Sequence, residues 1–376
     1  MYKGHEIIVF GIDHYNPLGI IRSLGEKGIN PVFICIKGKA KVASSSKYIS
    51  RLYNVDNYIE GCELLLSEFG NCPKEALPIV ITSDDEQVGY IDEHYDEFKN
   101  KFIIFNAGKV GQITKYMNKY NILKLAKKAG LNILDSCVVE KGEIPSDLQY
   151  PVITKSIAPN VGGWKSDVFI CQDKNELENA YKKIKAPQVL LQKFIEKKNE
   201  YCLDGISINR GEDIFIAIES TYKYLIKGYY SPYHTIANFN NKQIESALKK
   251  MFKEIGFEGI YSIEFLIDKN NNYYFSEINF RNSTWSYSAT TMGMNLILLW
   301  IKGMLSGKIP KNCKKMIPEG STAMVEPIDY QKRVVERGYS LENWLKDFKN
   351  ADCKYYYNEK DPAPFFVMLE NNQILR

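Results

Sequence analysis

The sequence predicts a mixed chain, α/β over its first third and α+β beyond it, and three observations carry that prediction. EIIVFGI with the helical stretch after it, and then PIVITSDDEQVGYIDEHY, repeat a strand-turn-helix unit of the kind that builds a parallel sheet. In the middle of the chain YPVITKS, the loop IAPNVGGWKSD and VFICQ read as strand, glycine-containing loop, strand. Further on, YSIEFLID and YYFSEINF are two strand-like runs divided by the polar turn KNNN, the pattern of an antiparallel hairpin.

Taken in order, EIIVFGI is a buried-type strand, Asn16 and Pro17 open a helix that runs to about Gly28, and NPVFICI is the next strand. PIVIT repeats the strand, Ser83 to Asp85 form the polar turn, and a helix follows. FIIFNAG supplies one more strand. The region resembles a doubly wound, Rossmann-like fold, yet its first turn, GIDHYNPLG, lacks the GxGxxG fingerprint of a dinucleotide site. An architectural or acceptor-binding role is therefore expected of it. ITKYMNKYNILKLAKKAG reads as a helical stretch closed by its glycine. In the loop after YPVITKS, Gly162 and Gly163 suit either a hairpin turn or a flap whose backbone N–H groups approach an anion. Lys155 stands inside an otherwise apolar strand just before that loop, where it needs a partner, and a phosphate is one candidate. NELENAYKKIKAP is an amphipathic helix; VLLQKFIEKKNEYCLDGISI is a strand, a short linker around Glu196 to Asn199, and a second strand. The stretch to about residue 240 is strand-rich, NKQIESALKKMFKEIG is a helix, and a loop and a core helix follow the hairpin. The part beyond Pro310 reads as a small appended region with no assigned role.

The hairpin carries the chemistry. With Lys269 to Asn272 as its turn, Glu264 falls directly across from Glu277, two carboxylates with Cβ atoms ~5 Å apart that repel each other unless a cation lies between them. Asn279 points to the same face and offers a neutral oxygen, and oxygen-only ligands favour Mg²⁺ or Mn²⁺ over zinc. Arg281 continues that face with a permanent planar cation. Carboxylates, amide and arginine in this sequence suggest a bound polyphosphate; a solvated hairpin face is the plainer alternative.

Composition narrows the function classes. A chain of 376 residues, 45% hydrophobic and 25% charged, is long enough for two or three domains. The net charge of +4 is small and its lysines alternate with glutamates, so nucleic acid is not an expected partner. MNLILLWIKGML is interrupted by Lys302 and too short to span a bilayer, and the N-terminal residues lead straight into a strand, so neither membrane anchor nor signal peptide is expected. Eight cysteines without a CxxC pair read as reduced thiols in a cytoplasmic protein. Four histidines include no Ser-His or Cys-His signature, and His234, in GYYSPYHTIANF, reads as a surface histidine without catalytic duty.

With these pieces in order, the chain resembles the ATP-grasp superfamily, in particular its carboxylate-amine ligase branch of D-aspartate ligases and carbamoyl-phosphate synthetase large-subunit-like proteins. The resemblance covers about residues 1 to 305. It implies a Rossmann-like pre-ATP-grasp domain at 1–111, an ATP-grasp domain of two subdomains at 112–305 with its lid at about 120–190, and a C-terminal region at 306–376. Lys119 matches the lysine of the family's helix start, with Asn118 in place of the usual aspartate; Lys155 matches the phosphate-contacting lysine, and Gly162 and Gly163 match the flap. LLQKFI resembles the interdomain hinge, where Lys193, Phe194 and Ile195 would read the adenine edge and Gln192 its amino group, while Glu200 matches the acid that holds the ribose. Glu264 followed by SEINFRNS resembles the metal triad Glu264, Glu277, Asn279 and its ExNxRxS pattern.

What the resemblance implies is an ATP-dependent ligase that uses Mg²⁺ or Mn²⁺ and ATP as co-substrate to join a small-molecule carboxylate and an amine, amino acids among the candidates, through an acyl phosphate. Lys155 and Arg281 would be the fixed catalytic cations. A kinase built on the same grasp and a non-catalytic nucleotide-binding module are the rival functions. Loops GIDHYNP and SDDEQ and residues around Thr284 to Tyr287 would build the acceptor pocket. Dimers are common in the family, so a homodimer is compatible with the resemblance.

Overall fold

Four parallel strands open the chain in a computed structural model that describes residues 4–38, 41–158, 164–226 and 230–371. They are β1 (Ile7–Ile12), β2 (Val32–Ile36), β3 (Arg51–Val55) and β4 (Ile79–Thr82), arranged β3-β2-β1-β4. Every residue of β2 and β4 is buried, which is why both read as unbroken apolar runs. The helix after β1 runs from Tyr15 to Gly25, shorter than expected at its end, and the His14 ring caps it by accepting the Asn16 N–H at 3.0 Å. FIIFNAG does not form the expected strand. Its Ile103 makes one bridge to Ile79, and then Asn106 turns to exchange backbone hydrogen bonds with Glu258 at 3.0 and 2.7 Å, which draws the segment off the sheet.

The second unit holds β5 (Ser136–Glu140), β6 (Val152–Ser156), β7 (Ile170–Cys171) and β8 (Gln188–Lys193), an antiparallel sheet in the order β5-β8-β6-β7. The helix Lys174–Tyr181 covers it, and Val152, Leu177, Ala180, Val189 and Leu191 form a core of its own. VFICQ contracts to the two residues of β7 because the Thr154 hydroxyl takes the Phe169 N–H at 2.9 Å. The stretch before this unit is not one helix. It divides into Gln112–Met117 and Lys119–Ala129, with Asn118 extended between them and capping the second through bonds from the N–H groups of Tyr120 and Asn121 at 3.0 and 3.2 Å. Gly130 closes that helix at φ 100°, as its position suggests.

Beyond the linker come β9 (Asn199–Ile208), β10 (Asp213–Thr221), β11 (Tyr233–Thr235), β12 (Gly259–Ile267) and β13 (Tyr273–Asn279). Four of them make the antiparallel sheet β10-β9-β12-β13, backed by the helices Lys242–Ile255 and Leu296–Ser306. β11 instead pairs with β14 (Thr322–Met324), which pairs with β15 (Cys353–Lys354). The C-terminal part is therefore more than an appendage. Its Asp361 forms an ion pair with Arg22 at 3.0 Å, both side chains fully buried, and the carbonyls of Tyr355, Tyr356 and Asp361 take three of the four remaining guanidinium protons. A buried pair satisfied in this way fixes the C-terminal part against the first helix.

Candidate active site

The two carboxylates meet as the hairpin pattern predicts, but by a different route. The turn is one residue longer than KNNN: Asp268 accepts the N–H groups of Asn270 and Asn272 at 2.8 and 2.9 Å, Asn271 sits at φ 63°, and Ile267 pairs with Tyr273. That register alone would set Glu264 against Ser276 and turn Glu277 to the opposite face. A β-bulge corrects it. Phe265 pairs with Phe275 while Glu264 pairs with Glu277, so Ser276 is the extra residue, and Ser262 lies across from Asn279.

Around this pair the sequence-predicted cations assemble. Lys119, at the first turn of the helix capped by Asn118, forms an ion pair with Glu277; burial works against its charge, yet Glu277, then Glu264 and Asp85, hold its pKa above the ordinary lysine value. Glu277 is correspondingly held below the usual carboxylate range, chiefly by Lys119. Glu264 goes the other way, pushed up to about 8 by burial and then by Glu277 and Glu200. Lys155 donates to the Gln192 side-chain oxygen at 2.9 Å, and burial followed by the neighbouring Lys119 charge lowers its pKa to about 8.

Two cavities meet at the carboxylates. One, about 730 Å³, is lined by Lys155, Gln192, Lys193, Phe194 and Ile195 together with Leu134, Ile153 and Leu266. The other, about 540 Å³, is lined by Asn279 and Arg281 with Asp85, Tyr116, Met117, Tyr222, Tyr230, Thr284 and Trp285. Lys119, Lys197, Glu200, Glu264 and Glu277 belong to both walls. Glu200 is fixed there by the Tyr222 hydroxyl at 2.8 Å and by Lys197. Gly162 and Gly163 lie outside the described residues.

Several placements were not legible beforehand. The Arg281 fork is occupied by Asp85 of the first unit, Nε to Oδ1 at 2.9 Å and Nη2 to Oδ2 at 3.3 Å, and Nη2 also reaches the Asn279 oxygen at 3.2 Å. The SDDEQ loop pointed to this region, but nothing in its pattern names an arginine 196 positions away. Asp204, on β9, is fully buried and accepts the Ser283 and Ser286 hydroxyls at 2.5 and 3.1 Å; burial pushes its carboxyl up to about 6. It anchors the loop that follows Arg281. His234 is not at the surface: it is fully buried, packed on Trp285 and Tyr355, and burial lowers its pKa to about 4. Of the expected acceptor loops, Asp85, Thr284 and Trp285 line the cavity, while Tyr287 turns away to bond Glu26 at 2.9 Å.

The donor set fits magnesium in one specific way. Among the described residues no three His, Cys, Asp or Glu side chains cluster to hold a metal. Mg²⁺, however, is commonly held by one or two carboxylates with phosphate oxygens and water completing the shell, and Glu264 and Glu277 face each other across the hairpin where both cavities meet. Glu264 and Glu277 would hold the ion. The Asn279 amide donates to Glu264 Oε1 at 3.2 Å and faces Arg281 with its oxygen, so it joins the shell only by turning over.

A family model described as the carbamoyl-phosphate synthase L chain, ATP binding domain, matches residues 118–306. Biotin carboxylase 1 of Bacillus subtilis (strain 168) is 25% identical over 199 residues, 48% of this chain and 43% of that protein. The chain spans between about a third and somewhat under half of the length of the curated relatives it matches. The L-amino acid ligase of Bacillus licheniformis superposes with a TM-score of 0.61 at 14% identity, covering 80% of this chain and 74% of that one. The biotin carboxylase domain dimer of Hydrogenobacter thermophilus 2-oxoglutarate carboxylase, solved with MgADP, ADP and bicarbonate, gives a TM-score of 0.61 at 19% identity and covers 84% of this chain and 73% of its own. At these identities the structural likeness shows a shared fold.

Proposed function

Because the chain belongs to the family of the carbamoyl-phosphate synthase L chain ATP-binding domain, an ATP-grasp family, we propose that it is an ATP-dependent carboxylate-amine ligase working through an acyl phosphate. The observation that carries this reading is the meeting of two cavities over one carboxylate pair. The hinge-lined cavity suits a nucleotide, with the main-chain edge of Lys193 to Ile195 toward the base, Glu200 toward the ribose, and Lys155 and Lys119 toward the phosphates. The cavity beyond the carboxylates, with Arg281 in its wall, suits the molecules to be joined.

In the proposed reaction a substrate carboxylate oxygen attacks the γ-phosphorus and ADP leaves; the amine then attacks the carbonyl carbon of the acyl phosphate and phosphate leaves. Magnesium, when bound by Glu264 and Glu277, would neutralise phosphate charge. The protein's own share is electrostatic and positional. Lys119 and Lys155 place fixed positive charge beside the transferring group, and Arg281 stands in the wall of the cavity beyond the carboxylates. No side-chain nucleophile is needed. Incubation with Mg-ATP, a pool of carboxylates and hydroxylamine tests the reading: a hydroxamate with stoichiometric ADP is expected, and ADP without hydroxamate would transfer the site to a kinase.

A further inference from the structure

Leaving aside the five residues shared with the nucleotide-side cavity, the charged side chains lining the substrate-side cavity are two, Asp85 and Arg281. They are paired with each other through two hydrogen bonds, each side chain 20% exposed. Asp84, next door, is anchored by the Ile12 N–H and the Ser83 hydroxyl, whereas Asp85 is bonded by Arg281 alone among the described residues. Asp85 opens a helix, where N–H dipoles favour its negative charge. The turn it occupies follows β4, beside β1, at the point where the parallel sheet's connections diverge and ligands of such sheets bind. The rest of this wall is neutral and aromatic, with Tyr116, Tyr222, Tyr230 and Trp285, surfaces that favour a cation over their faces.

We propose that the carboxylate-donating substrate is a free α-amino acid, its carboxylate taken by Arg281 and its ammonium by Asp85. A ligand with a carboxylate alone would draw Arg281 away and strand the aspartate in a half-buried wall; one with an ammonium alone would strand the arginine. A ligand carrying both charges exchanges one internal ion pair for two intermolecular ones, and the cavity selects for it on that ground. The aromatic wall then receives the side chain.

Resting as it does on the ligase reading, the proposal needs an experiment in which the two can fail separately. ADP formation with Mg-ATP and hydroxylamine is measured for the protein α-amino acids and their D-forms, each beside its N-acetyl derivative, while Mg-ADP affinity is followed by calorimetry. At least one free amino acid should exceed its N-acetyl form in kcat/KM by about 10- to 100-fold, the worth of one charge-assisted hydrogen bond. Asp85→Asn should collapse that ratio to near one, Asp85→Glu should retain part of it, and Mg-ADP affinity should hold in both. Equal use of N-acetyl forms overturns the proposal. So does an Asp85→Asn loss of equal factor for both substrate forms, which would make Asp85 a residue that merely positions Arg281. Turnover of no amino acid by protein that binds Mg-ADP normally also overturns it and leaves the nucleotide site standing, whereas failure to bind Mg-ADP removes both readings.

Discussion

Lys155→Met is expected to make the protein more stable while it loses nucleotide. The lysine is held in the cavity wall with its pKa lowered from 10.5 to about 8, so the folded state binds this proton less tightly than the unfolded chain does. At about 1.4 kcal/mol per pH unit, keeping it charged costs the fold about 3 kcal/mol. The sign follows from linkage: the cost is fully present below pH 8 and fades as pH rises toward 10.5, since in that window the unfolded state carries more protons. Methionine keeps much of the stem's length and drops the charge, but leaves the Gln192 oxygen without its donor, which returns about 1 kcal/mol. A net gain of about 2 kcal/mol at pH 7 is expected, measured by urea unfolding, shrinking toward zero or below by pH 10. ADP affinity, measured by calorimetry at pH 7, should fall at least about tenfold with the loss of the cation proposed to face the phosphates. A variant less stable than the parent at pH 7, or a stability difference that does not change with pH, would refute the strained-lysine account.

Other outcomes follow from neighbouring residues. Glu277→Ala should abolish ATP turnover with the fold retained; a folded variant that releases ADP near the normal rate would remove Glu277 from the proposed metal site. For Arg281→Lys, a large loss of turnover with little loss of ADP binding is expected, because a point charge cannot replace the fork that spans Asp85 and Asn279; unchanged turnover would place Arg281 outside the reaction centre. His234 is buried neutral, with Nε2 against the Tyr355 hydroxyl at 3.1 Å and a pKa lowered from 6.5 to about 4. Its unfolded form takes up the proton first, so about 3 kcal/mol of stability should be lost as pH falls from 6.5 to 4. Urea midpoints for the parent and for His234→Phe should diverge over that range, and parallel profiles would contradict the assignment.

Much of the site was legible because its signals are local. A strand alternates faces, so the carboxylate Glu277 and the amide Asn279, two positions apart, had to share one face of β13 once that segment was a strand, with Arg281 two residues past its end. The order of lysine strand, hinge and carboxylate hairpin is likewise a property of the chain. Where the reading failed, a partner distant in sequence decided the outcome. Asn106 left the first sheet for Glu258, and in the stretch to about residue 240, expected to be strand-rich, the described residues after β10 form the short β11, which pairs with β14 instead of joining the sheet of β10. A histidine in a polar-looking loop became fully buried because Trp285 and Tyr355 close over it.

The sequence by itself determined which chemical groups the hairpin displays and in what order the residues proposed to face the nucleotide arrive, because both depend on spacing along one backbone. Only the tertiary structure decided that Ser276 bulges and so turns Glu277 toward Glu264. It alone decided that Arg281 meets Asp85, that the C-terminal strands brace the first helix through Arg22 and Asp361, and that Lys155 is held below its ordinary pKa. Register corrections, long-range ion pairs and desolvation arise from which surfaces are packed together, and that is a property of the folded chain.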